Sequence, residues 1–132
     1  MMVCLETDFL VALMRKDQEA VAKLRELAAK GERLATTPIN AAELFKGAYR
    51  SKSVDENLRK VRGILGRLDI LELNLVASEI YGRMTADLES KGEAIGEIDA
   101  LIASVALAHN ERIVTRNVRH FGRVRGLEIE EW

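Results

Sequence analysis

An α/β fold with a central, mostly parallel five-stranded sheet is the architecture this sequence predicts. Three observations carry that prediction. Short strand-like runs recur at Val3-Leu5, Leu34-Thr36, Ile70-Leu73, Ile113-Thr115 and Leu127-Ile129. Longer stretches with helical apolar spacing lie between them, and strands alternating with helices favour parallel pairing. No internal repeat, low-complexity tract or Pro/Gly/Ser linker interrupts the 132 residues, so they read as one compact domain.

Each helical stretch has its own start and stop signals. Asp17 can cap a helix that carries Val21, Leu24, Leu27 and Ala28 on one face and closes at Gly31. Thr37 followed by Pro38, the only proline, supplies a capping hydroxyl and a residue pre-set for the first helical turn. Ser53 with Glu56 matches a capping box leading into Leu58, Val61, Leu65 and Leu68, a stripe suited to the core or to a dimer. Ala77, Ile80, Met84 and Leu88 form a further stripe that stops near Gly92. After Gly96, Ile98, Leu101, Ile102, Val105 and Ala106 leave little polar surface, which marks a central helix.

Composition narrows the function classes. Apolar residues make up 48% and aromatics 5%, so Leu, Ile, Val and Ala must build the core. Charged residues reach 31% with a net charge of −1, which excludes a globally basic nucleic-acid binder but leaves room for a local basic patch. The single cysteine, Cys4, allows no internal disulfide and no cysteine zinc cluster; mid-strand it reads as a small buried hydrophobe. No apolar run approaches the roughly 20 residues that span a bilayer. Acids stand near the start where a signal peptide needs an apolar segment, so a cytoplasmic protein is expected. No G-x-G-x-x-G or P-loop sequence occurs, which disfavours nucleotide-binding folds. A phospho-accepting receiver domain would need an aspartate ending the third strand, but "ILEL" is followed by Asn74.

The placement of acids is the informative feature. Sheets of this class bind ligands just beyond the carboxyl ends of their strands. Glu6 and Asp8 follow the first strand in "CLETD", and Asn117 follows the "IVT" strand. Glu43 lies on a partly apolar helical face with Ile39, Asn40, Lys46 and Gly47. Asp99 faces Ile102, Ala103 and Ala106, where an ionised carboxylate is expensive unless compensated. The helix dipole offers only about 0.3–1 kcal/mol there, well below the several kcal/mol of desolvation per ion. Two compensations fit: arginine or backbone partners, or a divalent cation shared by several acids. Hard cations take oxygen ligands and would relieve the mutual repulsion of clustered carboxylates. Taken together, the acids favour the cation.

The ordered set "CLETD", "INAAELFKGA", "IDALIASVALAHN" and "IVTRNVRHF" resembles the PIN-domain nucleases, and most closely the VapC toxins of toxin–antitoxin pairs. The resemblance runs from the first strand to the closing "GLEIEEW" and implies a single PIN domain over residues 1–132 with a three-layer fold. Each motif is short, but their order and spacing together are specific. The resemblance places the family acids on Glu6, Glu43 and Asp99, and the family serine or threonine and fourth polar residue on Thr115 and Asn117. It implies hydrolysis of RNA phosphodiesters with Mg²⁺ or Mn²⁺, a VapB-type antitoxin that blocks the site, and commonly a homodimer. Glu6 and Asp99 are then the principal metal ligands, with Glu43 orienting metal-bound water or holding a second ion. Asp8, Thr115 and Asn117 hold the ligands in place or act through water.

One departure stands out, because the first family acid is normally aspartate and here it is Glu6. Three outcomes are open: Glu6 coordinates with a shifted backbone, Asp8 takes a larger share of the metal, or activity is weakened. Hence the alternative reading is a catalytically weak PIN-like module that binds RNA or a protein partner. Substrate also needs positive charge. Five arginines and His120 lie between Arg112 and Arg125 with no acid among them, and Arg116, Arg119 and Arg123 are the candidate RNA contacts. A second basic-biased stretch runs from Lys46 to Arg67. Phe121 is expected in the core, Glu97 facing solvent, and His120 too isolated for a general base.

Overall fold

A computed structural model describes residues 1–132. Twelve elements follow in order: β1 (Met2–Leu5), α1 (Thr7–Met14), α2 (Gln18–Ala29), β2 (Arg33–Thr36), α3 (Pro38–Tyr49), α4 (Val54–Leu65), β3 (Asp69–Ile70), α5 (Leu75–Ser90), α6 (Glu97–Ala108), β4 (Arg112–Val114), α7 (Val118–Phe121) and β5 (Ile129–Glu130). The strands form one sheet in the order β3-β2-β1-β4-β5. Every pair is parallel, with Cys4 opposite Ala35 on one side and Ile113 on the other.

Strand alternation divides the interior into two layers of packing. Val3 and Leu5 point into a cluster with Phe9, Leu10, Leu27, Leu44, Leu58 and Val61, which belongs to α1 through α4. Cys4 points the other way, against Ala77 and Val105. Adjacent to it, Ile113 packs with Leu88, Ile102, Ala103 and Phe121 under α5, α6 and α7. The sheet is thus covered on both faces, giving the three-layer α/β fold that the sequence predicts, and central β1 is wholly apolar because both its faces are buried.

Most boundary signals act as expected. Asp17 accepts from Ala20 N at 3.0 Å and Thr37 from Asn40 N at 3.1 Å. Gly31 and Gly92, just past the ends of α2 and α5, have φ of +72° and +69°. Ser53 does precede α4, but its hydroxyl makes no capping bond, so the expected capping box does not form. Leu58 and Val61 of its stripe are buried, and Leu65 and Leu68 pack partly against the same core.

Two strands differ from the expected runs. β3 comprises only Asp69–Ile70, because its partner β2 ends where α3 begins; Leu71 N still reaches Thr36 O at 2.8 Å. β5 starts at Ile129 rather than Leu127, since Gly126 (φ +84°) and the Leu127 N–Val124 O turn delay pairing. α1 has no counterpart among the helices read from the sequence. Its eight residues, TDFLVALM, are apolar almost throughout and show little helical periodicity.

Candidate active site

The site is built from strand ends and helix beginnings. Glu6 N extends the β1–β4 ladder by donating to Val114 O at 3.1 Å, and then the chain turns into α1. Glu6 is the N-cap of that helix: Oε2 accepts from Asp8 N at 3.3 Å. The carboxyl is buried, with only 6% of the residue exposed. Burial, reinforced by the neighbouring Asp8 charge, pushes its pKa up to about 8.

Asp8 is held from the end of β4. Its Oδ2 accepts from Arg116 N at 2.8 Å and from the Thr115 hydroxyl at 3.1 Å. Thr115 Oγ1 also lies 3.4 Å from Glu6 Oε2 and accepts from Asn117 N at 3.0 Å. One hydroxyl therefore stands between two acid side chains. Asp8 Oδ1 is buried and has no hydrogen-bond partner.

Glu43 enters from α3 through a buried polar relay. Thr37 Oγ1 donates to Asn40 Oδ1 at 2.6 Å, Asn40 Nδ2 donates to Thr7 Oγ1 at 2.9 Å, and Thr7 donates to Glu43 Oε1 at 2.6 Å. Asp99 sits in the first turn of α6. Its Oδ2 accepts from Asn117 Nδ2 at 3.2 Å and lies 2.8 Å from His120 Nδ1.

The expected site residues therefore fall into three adjoining units: Glu6–Asp8–Thr115, Glu43–Thr7–Asn40, and Asp99–Asn117–His120. Thr7 follows Glu6 in the chain and Thr115 bonds to Asn117, so the units share a common edge of the sheet. No three His, Cys, Asp or Glu side chains are grouped to enclose a metal ion by themselves. Two expectations change. The sequence puts the burial penalty on Asp99, whereas its side chain is 22% exposed and well partnered; Glu6 is the deeply buried acid. His120, expected to be isolated, is bound to Asp99 through the one-turn helix α7, which Asn117 caps.

Several contributors were not singled out from the sequence. Thr7 and Asn40 support Glu43 across 36 and 3 positions respectively, and only the second spacing is visible on a helix. Trp132 is another: its ring meets Phe9 edge-on at 5.3 Å and lies 3.6 Å beneath the Arg116 guanidinium.

The arginines divide by position. Arg112 bonds Glu130 at 2.8 Å and pairs with Glu32, a largely buried structural tie that raises its pKa. Arg116 donates to Trp132 O at 2.9 Å and pairs with Glu19, so its fork is already engaged. Arg119 is exposed. Arg123 donates to the carbonyls of Glu93 and Ala94 at 3.4 and 3.1 Å. Phe121 is fully buried and Glu97 exposed, as expected.

The donor set suits a hard cation. Glu6, Asp8 and Glu43 have no lysine or arginine side chain paired with them. Asp8 offers a buried oxygen without a donor, and all the ligating atoms available are oxygens.

Comparisons with known proteins identify the family and the fold. A family model described as PIN domain matches residues 3–127. Ribonuclease VapC2 of Rickettsia felis is 36% identical over 132 residues, covering 100% of this chain and 98% of that protein. The tRNA(fMet)-specific endonuclease VapC of Salmonella typhimurium is 35% identical over 100 residues, 76% of each chain. The crystal structure of VapBC2 from Rickettsia felis, bound to a promoter DNA fragment, contains a chain that superimposes with a TM-score of 0.92. That chain is 34% identical, and the match covers 100% of this chain and 99% of that one.

Proposed function

The chain belongs to the PIN-domain family, among its VapC-type members, and from that premise we propose that it is a ribonuclease acting as the toxin of a toxin–antitoxin pair. The observation that carries the proposal is the uncompensated acid pair at the end of β1. Without a cation the buried Glu6 beside Asp8 keeps its proton up to about pH 8; a cation at the orphaned Asp8 oxygen would let both acids ionise together.

In this reading Glu6 and Asp99 would hold a divalent ion, Mg²⁺ or Mn²⁺, and Glu43 would orient the attacking water. The chemistry such an ion would supply is a more acidic water and an offset to the charge growing on the phosphoryl group. Attack forms one P–O bond as the bond to the leaving oxygen breaks. Thr7 fixes Glu43 by donating to Oε1, which leaves Oε2 free to bind water. Asn117 and His120 fix Asp99 through the same oxygen, Oδ2. Thr115 and the Arg116 amide fix Asp8. The longer side chain of Glu6 spans from the strand end to the Asp8 amide, so it caps α1 and lines the site at once.

Of the expected RNA contacts we favour Arg119; to reach a phosphate Arg116 would have to release Trp132 and Glu19, and Arg123 the carbonyls of Glu93 and Ala94. A VapB-type antitoxin, supported by the VapBC complexes among the similar structures, and a homodimer complete the proposal. No helix is long and apolar enough to cross a membrane, and a cytoplasmic site of action is proposed. The test is cleavage of RNA with Mg²⁺ or Mn²⁺ against an EDTA control, in the native chain and in Asp99→Asn. Cleavage is expected only in the native chain with metal; a folded Asp99→Asn protein with full activity would overturn the assignment.

A further inference from the structure

Away from the acids, a cavity of about 590 Å³ opens between α5 and the segment that links α7 to β5. Its rim is cationic. Arg83 comes from α5, Lys91 from the C-cap of that helix, and Arg123 and Arg125 from the linking segment. Two acids also face it, Asp87 and Glu93, and Asp87 is paired with Lys91 at 3.0 Å. Arg83 and Arg125 are exposed and make no ion pair or side-chain hydrogen bond. The floor is apolar, formed by Ile80, Leu88 and Leu107. Four cations against two acids leave the cavity net positive, and its apolar floor strengthens that field in favour of an anion.

The cavity connects structurally to the acidic centre. Arg123 lies three residues beyond His120, whose ring touches Asp99. Its guanidinium is fixed to the carbonyls of Glu93 and Ala94, in the segment that leads into α6 and Asp99. An extended chain with repeated phosphates suits both places, with one phosphate in the cationic cavity and another at the cation-binding acids. Arginines suit such a backbone because each fork can bind phosphate through two parallel hydrogen bonds.

We propose that this cavity is a phosphate-binding subsite for the RNA strand beyond the scissile bond, with Arg83 and Arg125 as its free phosphate contacts. The subsite rests on the ribonuclease reading above. It gives the protein a hold on long RNA that is separate from the acids, which themselves repel phosphate.

The test uses the full chain carrying Asp99→Asn, with labelled single-stranded RNA titrated over a range of salt. Adding Arg83→Ala and Arg125→Ala should reduce the slope of log affinity against log salt by about 1.4, because each contact on a single strand contributes roughly 0.7. Arg25→Ala with Lys30→Ala, at α2, removes the same charge elsewhere and should leave the slope unchanged. An unchanged slope in the cavity variant, or an equal fall in the α2 control, overturns the subsite alone. In the active chain, Arg83→Ala with Arg125→Ala should raise KM for long RNA and spare cleavage of a trinucleotide. Equal losses on both substrates would also overturn the subsite. If the Asp99→Asn chain binds no RNA at all and the native chain cuts none, the ribonuclease reading falls with it.

Discussion

His120 Nδ1 stands 2.8 Å from Asp99 Oδ2, a contact that spans 21 positions of sequence and joins α7 to the first turn of α6. With Asp99 ionised, the ring must carry its proton on Nδ1 to make this bond. His120 is thus a positioning residue for Asp99. His120→Ala is expected to weaken Mn²⁺ binding by calorimetry by about 10–100-fold, the usual effect of removing a group that orients a metal ligand. An asparagine side chain carries an N–H on the same γ carbon as the imidazole Nδ1, so His120→Asn should recover most of the affinity. Equal loss in both variants would indicate a packing role instead.

The raised pKa of Glu6 makes stability depend on pH. Its ordinary value is 4.5 and the folded value is about 8. Between these limits the unfolded chain has released a proton that the folded chain still holds. Stability should therefore fall as pH rises through that window, by up to about 1.4 kcal/mol per pH unit, and level off above it. Glu6→Gln keeps the capping oxygen but has no charge. It should be more stable than the native protein above pH 8 and indistinguishable below pH 4.5 in denaturant titrations. A pH-independent difference would exclude this origin.

Divalent ions should reverse the same penalty. Mg²⁺ or Mn²⁺ is expected to raise Tm, and to raise it more at about pH 8 than at about pH 5, because ligands must be deprotonated to bind. Glu6→Gln and Asp99→Asn should each blunt the increase. A rise that persists undiminished in both variants would place the ion elsewhere.

Thr7 serves Glu43 and Asn40 at once, donating to one and accepting from the other. Thr7→Val keeps the shape and removes both bonds, leaving Asn40 with a buried unpaired donor. We expect a loss of about 1–3 kcal/mol in stability together with reduced cleavage. Thr7→Ser should restore both. Full activity in a folded Thr7→Val protein would show that Glu43 needs no support.

Neighbouring arginines should separate by assay. Arg119→Ala is expected to lower the salt slope of RNA binding by roughly 0.7 with little change in Tm. Arg116→Ala should lower Tm through loss of its contacts with Trp132 and Glu19, and leave the slope unchanged. The opposite pattern would restore Arg116 to the RNA surface.

The fold was largely legible because periodicity and caps report local preference directly. Asp17, Thr37 and Gly92 act in the structure as their residue types suggest. α1 escaped because TDFLVALM offers no polar face to set a period, being anchored by Phe9 and Leu10 in the core. At the site, Glu6, Asp8, Asp99 and Asn117 were legible from their places at strand and helix ends. Their partners were not. Nothing local to His120 indicates Asp99, and nothing local to Thr7 indicates Glu43, because both contacts arise only when separate elements pack. The same holds for the burial of Glu6, which depends on β4 lying alongside β1.

The relay from Thr37 through Asn40 and Thr7 to Glu43 also constrains how this protein can change. Each member satisfies a neighbour on another turn or another element, so any single apolar replacement leaves a hydrogen-bonding atom stranded. Apolar replacement of Asn40 costs less once Thr7 is already apolar, because the amide it removes has by then lost its partner. Viable sequences are then separated by less stable intermediates, and drift at one of these positions is contingent on what already stands at the others.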